Sequence, residues 1–212
     1  MGKIFLWDID QTLLFTGGAG SRAFTATFEE LWGVRDAFAN VKFAGRTDPA
    51  IVRDAFAFAG IAAGNDGEFS SALACFRRRY LEHLREALPT TPGGRVLPGV
   101  PALLDRLRGI EGVYLGLATG NFREGAGLKL AHYNLGHYFL DGGFGDDAED
   151  RGQMVAAGAR KMLAHEAVPA GAHEVIVIGD TEHDINAARV NGFLAVGVGT
   201  GLVGREALLA AG

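Results

Sequence analysis

Residues 3 to 12 read Lys3-Ile4-Phe5-Leu6-Trp7-Asp8-Ile9-Asp10-Gln11-Thr12, and the fold is decided here. Residues 3–7 form a short apolar run that ends on acids, as in a buried parallel strand that delivers polar groups at its carboxyl end. Two later segments repeat the design. Gly112 to Ala118 leads into Thr119-Gly120-Asn121, and Glu174 to Ile178 leads into Gly179-Asp180. Phe193 to Val198 is a fourth candidate strand. Helical patterns lie between them: Val100, Leu103, Leu104 and Leu107 after Pro98, then segments near 123–134, 150–166 and 182–191. Strand alternating with helix predicts an α/β fold, a doubly wound parallel sheet whose ligands gather at the carboxyl ends of the strands. All three polar punctuation points fall at that edge.

The stretch 16–90 breaks the alternation and reads as helices only. Phe24, Phe28 and Leu31 make one apolar stripe. Asp48 as N-cap with Pro49 at the first helical position opens a second helix carrying Val52, Ala55, Phe56 and Ala59. Phe69, Leu73, Phe76, Tyr80 and Leu84 make a third. A helical insertion just after the first strand predicts a separate cap over the active edge, joined through Gly17-Gly18 and the segment from Pro89 to Pro98. The expected division is a core of 1–15 with 91–212 and a cap of 16–90.

Bulk composition narrows the function. The 212 residues are 48% hydrophobic, enough to bury a real core. A formal net charge of -5 gives no general attraction for nucleic acid or anionic lipid, so an anionic substrate must be held by local groups. Cys75 is the single cysteine, which excludes an intrachain disulfide or a multi-thiolate metal site and fits a reducing cytoplasm. The six histidines show no paired ligand spacing, which argues against zinc. Met1 leads straight into a strand with an acidic pair by residue 10, unlike a secretory signal, and no apolar run is long enough to span a bilayer. Leu6 stands where a myristoylation motif beginning at Gly2 wants Ser or Thr.

Asp8 and Asp10 flank the end of the first strand. One carboxylate can attack phosphorus while the other gives a proton to the leaving oxygen and later takes one from water. An isolated D-x-D is more often an acidic turn, so context has to lift it. Gly179-Asp180-Thr181-Glu182-His183-Asp184 supplies that context with a second acidic cluster at a second strand end. Packed carboxylates need a cation. Magnesium suits a few carboxylate oxygens completed by water and phosphate, and Asp8, Asp10 and Asp180 are expected to hold it, with Asp184 ordering waters or a neighbouring cation. Thr181 and Asp184 also fit a plain T-x-x-D helix start. At the other strand end Thr119, Gly120 and Asn121 offer a hydroxyl, backbone N–H groups and a helix N-terminus to a phosphate oxygen. Arg151, after the acidic run Asp146-Asp147-Ala148-Glu149-Asp150, can balance the carboxylates or simply pair with that run; Arg160 and Lys161 are possible substitutes.

These motifs resemble the haloacid dehalogenase superfamily, in its phosphoglycolate-phosphatase-like branch with a helical C1-type cap, and the likeness runs over essentially the full length. D-x-D-x-T matches Asp8, Asp10 and Thr12, the second motif matches Thr119, the basic third matches Arg151, and G-D-x-x-x-D matches Asp180 and Asp184. The resemblance implies a Mg2+-dependent phosphatase in which Asp8 is the nucleophile, Asp10 the acid/base whose backbone carbonyl also meets the metal, and Asp180 a metal ligand. Thr12, Gly120 and Asn121 are then expected to bind the phosphoryl group. Two departures stand out: Gln11 replaces the usual glycine, and Arg151 the commoner lysine.

Other features carry less. Gly199-Thr-Gly201-Leu-Val-Gly204 spells a dinucleotide fingerprint but reads as a loop before a terminal helix, and Arg77-Arg78-Arg79 reads as a solvated helix face. Lys42 to Asp48 sits before a cap helix, which makes Arg46 the candidate for recognising the organic part of the substrate, unless it pairs with a nearby acid. The partner expected is a small-molecule phosphate ester, with no nucleic acid or membrane, and the chain a monomer or homodimer. A sugar phosphomutase would show the same four motifs. Haloacid dehalogenation needs no second acid, a phosphonate hydrolase would need a suitable cap lysine where only Lys42 stands, and a noncatalytic metabolite-binding protein would be expected to lack Asp8 or Asp10.

Overall fold

The computed structural model describes residues 2–62 and 64–212. Five strands, β1 (Gly2–Trp7), β4 (Val113–Ala118), β5 (Gly142–Gly143), β6 (His173–Gly179) and β7 (Leu194–Gly197), form a parallel sheet in the order β5-β4-β1-β6-β7. β1 is central, and the winding reverses there: the chain builds outward to β5 on one side, then returns to build β6 and β7 on the other.

Both faces of this sheet are apolar, which is why its strands read as continuous hydrophobic runs. Alternate residues go to opposite sides. Trp7, Leu115, Leu117, Ile176 and Ile178 pack with Val100 and Leu104 of α4 (Val100–Arg108) and with Ala126 and Leu130 of α5 (Arg123–His132). Ile4, Leu6, Val175 and Val177 pack with Met154, Val155 and Met162 of α6 (Arg151–Ala164) and with Ala187 and Ala188 of α7 (Glu182–Val190). A last helix, α8 (Arg205–Ala211), follows the loop that holds Gly199 to Gly204.

Three helices, α1 (Ala19–Trp32), α2 (Asp48–Phe58) and α3 (Asp66–Thr90), are inserted after β1 around an aromatic cluster of their own. Phe24 meets Phe38, Phe43, Phe76 and Tyr80 edge-on with ring centroids 4.6–5.5 Å apart, the preferred geometry for aromatic quadrupoles. At α3 the Asn65 side chain accepts from Glu68 N, and the Glu68 side chain accepts from Asn65 N, so the orphan donors of that helix end are met. The two chain crossings into this layer run side by side, because β2 (Leu14–Phe15) pairs antiparallel with β3 (Arg95–Val96).

Two expectations need correction. Thr47, not Asp48, is the N-cap residue of α2; Asp48 lies within the first turn and its carboxylate accepts from the main chain of another element. The Arg77 side chain does not belong to a purely solvated face, since it reaches Asp146 at 2.6 Å and ties α3 to the loop before α6.

Candidate active site

The register of the sheet assembles the site. Trp7 pairs with Leu117 on one side and Ile178 on the other, so the chain leaves three neighbouring strands at one level carrying Asp8, Thr119 and Asp180. Asp8 N donates to Ile178 O at 2.9 Å and Thr119 N to Gly143 O at 3.0 Å, which fixes both backbones just beyond the last rung. Asp8, Asp180 and Asp184 each present a carboxylate oxygen within 4.8 Å of the others, and all three residues are buried. Arg151, the first residue of α6, reaches in from the side: its Nε donates to Asp184 Oδ1 at 3.0 Å and its Nη2 stands 3.2 Å from Asp8 Oδ1.

Three carboxylates therefore face one guanidinium, and the electrostatics record the imbalance. Burial pushes the Asp8 carboxyl up to about 8; Arg151 opposes the rise, while Asp184, Asp180 and Asp10 add to it. Asp180 is pushed up to about 6, chiefly by burial and then by Asp184. Arg151 is driven further toward its charged form by Asp184 and Asp8 despite its own desolvation. A divalent cation would supply the two positive charges that are missing, and a few carboxylate oxygens, completed by water and phosphate, are a donor set that suits magnesium. The residues present thus fit the metal that the sequence implies. Asp184 forms the T-x-x-D helix start, for its Oδ2 accepts from Thr181 Oγ1 at 2.7 Å and Thr181 N at 3.1 Å, closing the start of α7, while Oδ1 accepts from Arg151 Nε.

Asp10 takes a different position. Its carboxylate does not join the three-acid group; Oδ2 accepts from Asn121 Nδ2 at 2.8 Å and from Lys129 Nζ at 2.6 Å. Asn121 Nδ2 also reaches Thr119 Oγ1 at 2.7 Å, so the hydroxyl, the amide and the second aspartate form one network across the β1 and β4 ends. Thr12 is buried, and its hydroxyl has no hydrogen-bond partner among the described residues. Gln11 has φ +64°, the left-handed conformation that favours glycine. A glycine would hold this conformation without the steric cost that a side chain brings.

The cap closes over this edge through the loop 43–48. Asp48 N donates to Gly120 O, and Phe122 N donates to Asp48 Oδ2, both at 2.7 Å. Thr47 Oγ1 donates to Glu149 O at 2.8 Å. Burial raises the Asp48 carboxyl to about 7, against the lowering effects of Lys129 and the Phe122 N–H. A cavity of about 400 Å³ remains beneath, with Asp8, Asp10, Thr119, Asn121, Arg151 and Asp180 at its polar end and Phe24, Phe43, Ile51 and Tyr80 along its apolar wall.

Of the residues marked from sequence, Asp8, Thr119, Arg151, Asp180 and Asp184 converge, with Asp10 and Asn121 beside them. Gly120 lies under the cap loop. Arg46 borders the cavity, but its guanidinium is engaged by Asp54 at 2.8 Å. Arg151 needs no substitute: Lys161 is held by Asp147 and Arg160 lines a groove elsewhere. Asp48, Tyr80 and Lys129 were missed. For Lys129 a signal existed, since it shares the buried face of α5 with Ala126 and Leu130, where a charge has to find a partner.

A family model for haloacid dehalogenase-like hydrolases matches residues 3–192. The chain belongs to that family. Among solved structures, this haloacid dehalogenase-like hydrolase is similar to a predicted phosphatase from Clostridium acetobutylicum, with TM-score 0.71 and 20% identity over 100% of this chain and 91% of that one. It is also similar to a predicted phosphoglycolate phosphatase from Haemophilus somnus, with TM-score 0.63 and 16% identity over 100% and 91% of the two chains. A candidate β-phosphoglucomutase from Thermotoga maritima aligns with TM-score 0.60 and 21% identity over 99% and 91%. At such identities these likenesses establish the fold. No curated protein matches the chain. Among the described residues no helix is long and apolar enough to cross a membrane.

Proposed function

We propose that this hydrolase is a Mg2+-dependent phosphatase that cleaves small-molecule phosphomonoesters through a phosphoaspartate on Asp8. The observation that carries the reading is the three-carboxylate group of Asp8, Asp180 and Asp184 set against the guanidinium of Arg151 at the strand ends. Asp8, Asp180 and Asp184 would hold the ion, with the backbone carbonyl of Asp10 as the resemblance implies. Magnesium when bound neutralises these carboxylates and draws charge from the phosphoryl oxygens.

The chain's own residues divide the remaining work. An Asp8 carboxylate oxygen attacks phosphorus, and the bond from phosphorus to the ester oxygen breaks. Asp10 gives its proton to that oxygen as the alcohol leaves. A water then attacks the phosphoryl group, Asp10 takes its proton, the bond to Asp8 breaks and inorganic phosphate departs. Thr119, Gly120 and Asn121 orient the phosphoryl oxygens, and Arg151 keeps Asp8 aimed while balancing charge. Thr12, whose buried hydroxyl has no partner among the described residues, is the further candidate for holding a phosphoryl oxygen, and Arg46 stands where the organic part of the substrate enters.

The proposal includes the division into a core of 1–15 with 91–212 and a cap of 16–90, and a cytoplasmic site of action. A phosphomutase is the second reading, favoured by the cap lying closed over the Asp8 edge, which would keep water from a phosphoenzyme. The purified protein is expected to hydrolyse p-nitrophenyl phosphate with Mg2+, and Asp8→Asn to abolish this. Undiminished rates with a chelator, or an active Asp8→Asn protein, would refute the assignment.

A further inference from the structure

Lys129 is a lysine on the apolar face of α5, only 4% exposed, beside a cavity whose chemistry the family motifs describe without it. Burying an ammonium is costly unless it is paired and hydrogen-bonded. Its Nζ donates to Asp10 Oδ2 at 2.6 Å and to Asn121 Oδ1 at 2.5 Å. Asn121 in turn donates to the same Asp10 Oδ2 at 2.8 Å. One oxygen of the Asp10 carboxylate is thus pinned by two donors, one of them charged, while among the described residues Oδ1 takes none. A carboxylate held by one oxygen keeps the other free to exchange a proton at a fixed place.

We infer that Lys129 is a positioning residue for Asp10: together with Asn121 it anchors Oδ2 and leaves Oδ1 to pass the proton to the leaving oxygen. The inference rests on the phosphatase reading above and deepens it. Its reach is specific. Phosphoryl transfer to Asp8 needs a well-placed acid when the leaving group is a poor one, and hardly needs it when the leaving group departs readily as an anion. Loss of Lys129 should therefore act on the ester according to its alcohol, with no change in how tightly the ester or Mg2+ binds.

The test compares kcat/KM for p-nitrophenyl phosphate and benzyl phosphate, esters of similar size with a good and a poor leaving group. Lys129→Met should lose about tenfold or more on benzyl phosphate, as part of the hundredfold or greater effect of acid catalysis, and several-fold less on p-nitrophenyl phosphate. The KM for each ester and the Mg2+ concentration giving half-maximal rate should hold. Lys129→Arg, which keeps the charge and folds if the apolar variant does not, should recover part of the benzyl phosphate rate. Equal losses on the two esters, or no loss on either, would overturn the role of Lys129 while leaving the phosphatase reading intact. Failure of the unaltered protein to hydrolyse either ester would overturn both.

Discussion

Gly120 runs directly beneath the carbonyl of Arg46: a methyl group placed on Gly120 would collide with the Arg46 oxygen and lie 2.9 Å from the Thr47 Cα. The approach is backbone against backbone, so no side chain can swing aside to relieve it. Core and cap are locked here by the absence of one carbon atom.

Gly120→Ala should accordingly lift the loop 43–48 away from the strand ends and break the Asp48 N–H bond to Gly120 O. Misplacement of the order of an ångström costs on the order of a hundredfold in rate. We expect kcat/KM for p-nitrophenyl phosphate to fall by about that factor, with the far-ultraviolet circular dichroism unchanged. A fully active Gly120→Ala protein would show that the closed contact is not needed for turnover.

Magnesium should stabilise the folded chain. A ligand that binds only the native state at a hundred times its Kd adds about 2.7 kcal/mol. Thermal unfolding with and without Mg2+ should show a rise in Tm for the unaltered protein. The rise should be much smaller for Asp180→Asn, which removes a charge from the group of three. Identical shifts in the two proteins would place the ion elsewhere.

Asp48 predicts a pH signature. Burial raises its carboxyl from 3.8 to about 7, with Lys129, Asp10 and Asp146 acting on it as nearby charges, and its own charge helping to push the Tyr80 hydroxyl up. Between those values the folded chain holds a proton that the unfolded chain has lost. The contribution to stability is complete below about 3.8 and disappears as pH climbs through about 7. Asp48→Asn keeps an acceptor for Phe122 N and has no such dependence. The stability of the unaltered protein minus that of Asp48→Asn should fall, by on the order of 3 kcal/mol, between mildly acidic and neutral pH and then level off. Denaturant midpoints across that range check it; a difference that rises with pH would contradict the assignment.

Gln11 holds φ +64° without being glycine. The left-handed conformation costs a side-chain-bearing residue about 1–2 kcal/mol, of which glycine returns part through its greater freedom when unfolded. Gln11→Gly should leave stability equal or up to about 1 kcal/mol higher. Because Gln11 borders the cavity, its removal should also change KM more than kcat. Urea unfolding and steady-state kinetics test the two halves separately, and a clear destabilisation would mean that the side chain earns its place by contacts.

Much of this was legible in the sequence, for stated reasons. β1, β4 and β6 are apolar on both faces and end on polar residues, so strand, sheet type and site edge came together. β5 was not, because Gly142 and Gly143 have no strand-forming side chain; both are required small, since methyl groups there would strike Leu117 and Met154. Asp48 looked like a helix cap because Asp before Pro often is one, yet Thr47 occupies that place and frees the carboxylate for Phe122. The pairing of Lys129 with Asp10 joins residues 119 positions apart, a contact that no local pattern can announce.

The central claim is that Asp8 becomes covalently phosphorylated. Acid quenching during turnover of p-nitrophenyl phosphate with Mg2+, followed by peptide mass spectrometry, should find the mass of one phosphoryl group on the peptide containing Asp8, and none in Asp8→Asn. Sustained turnover with no adduct at Asp8, or an adduct on another residue, would contradict the account.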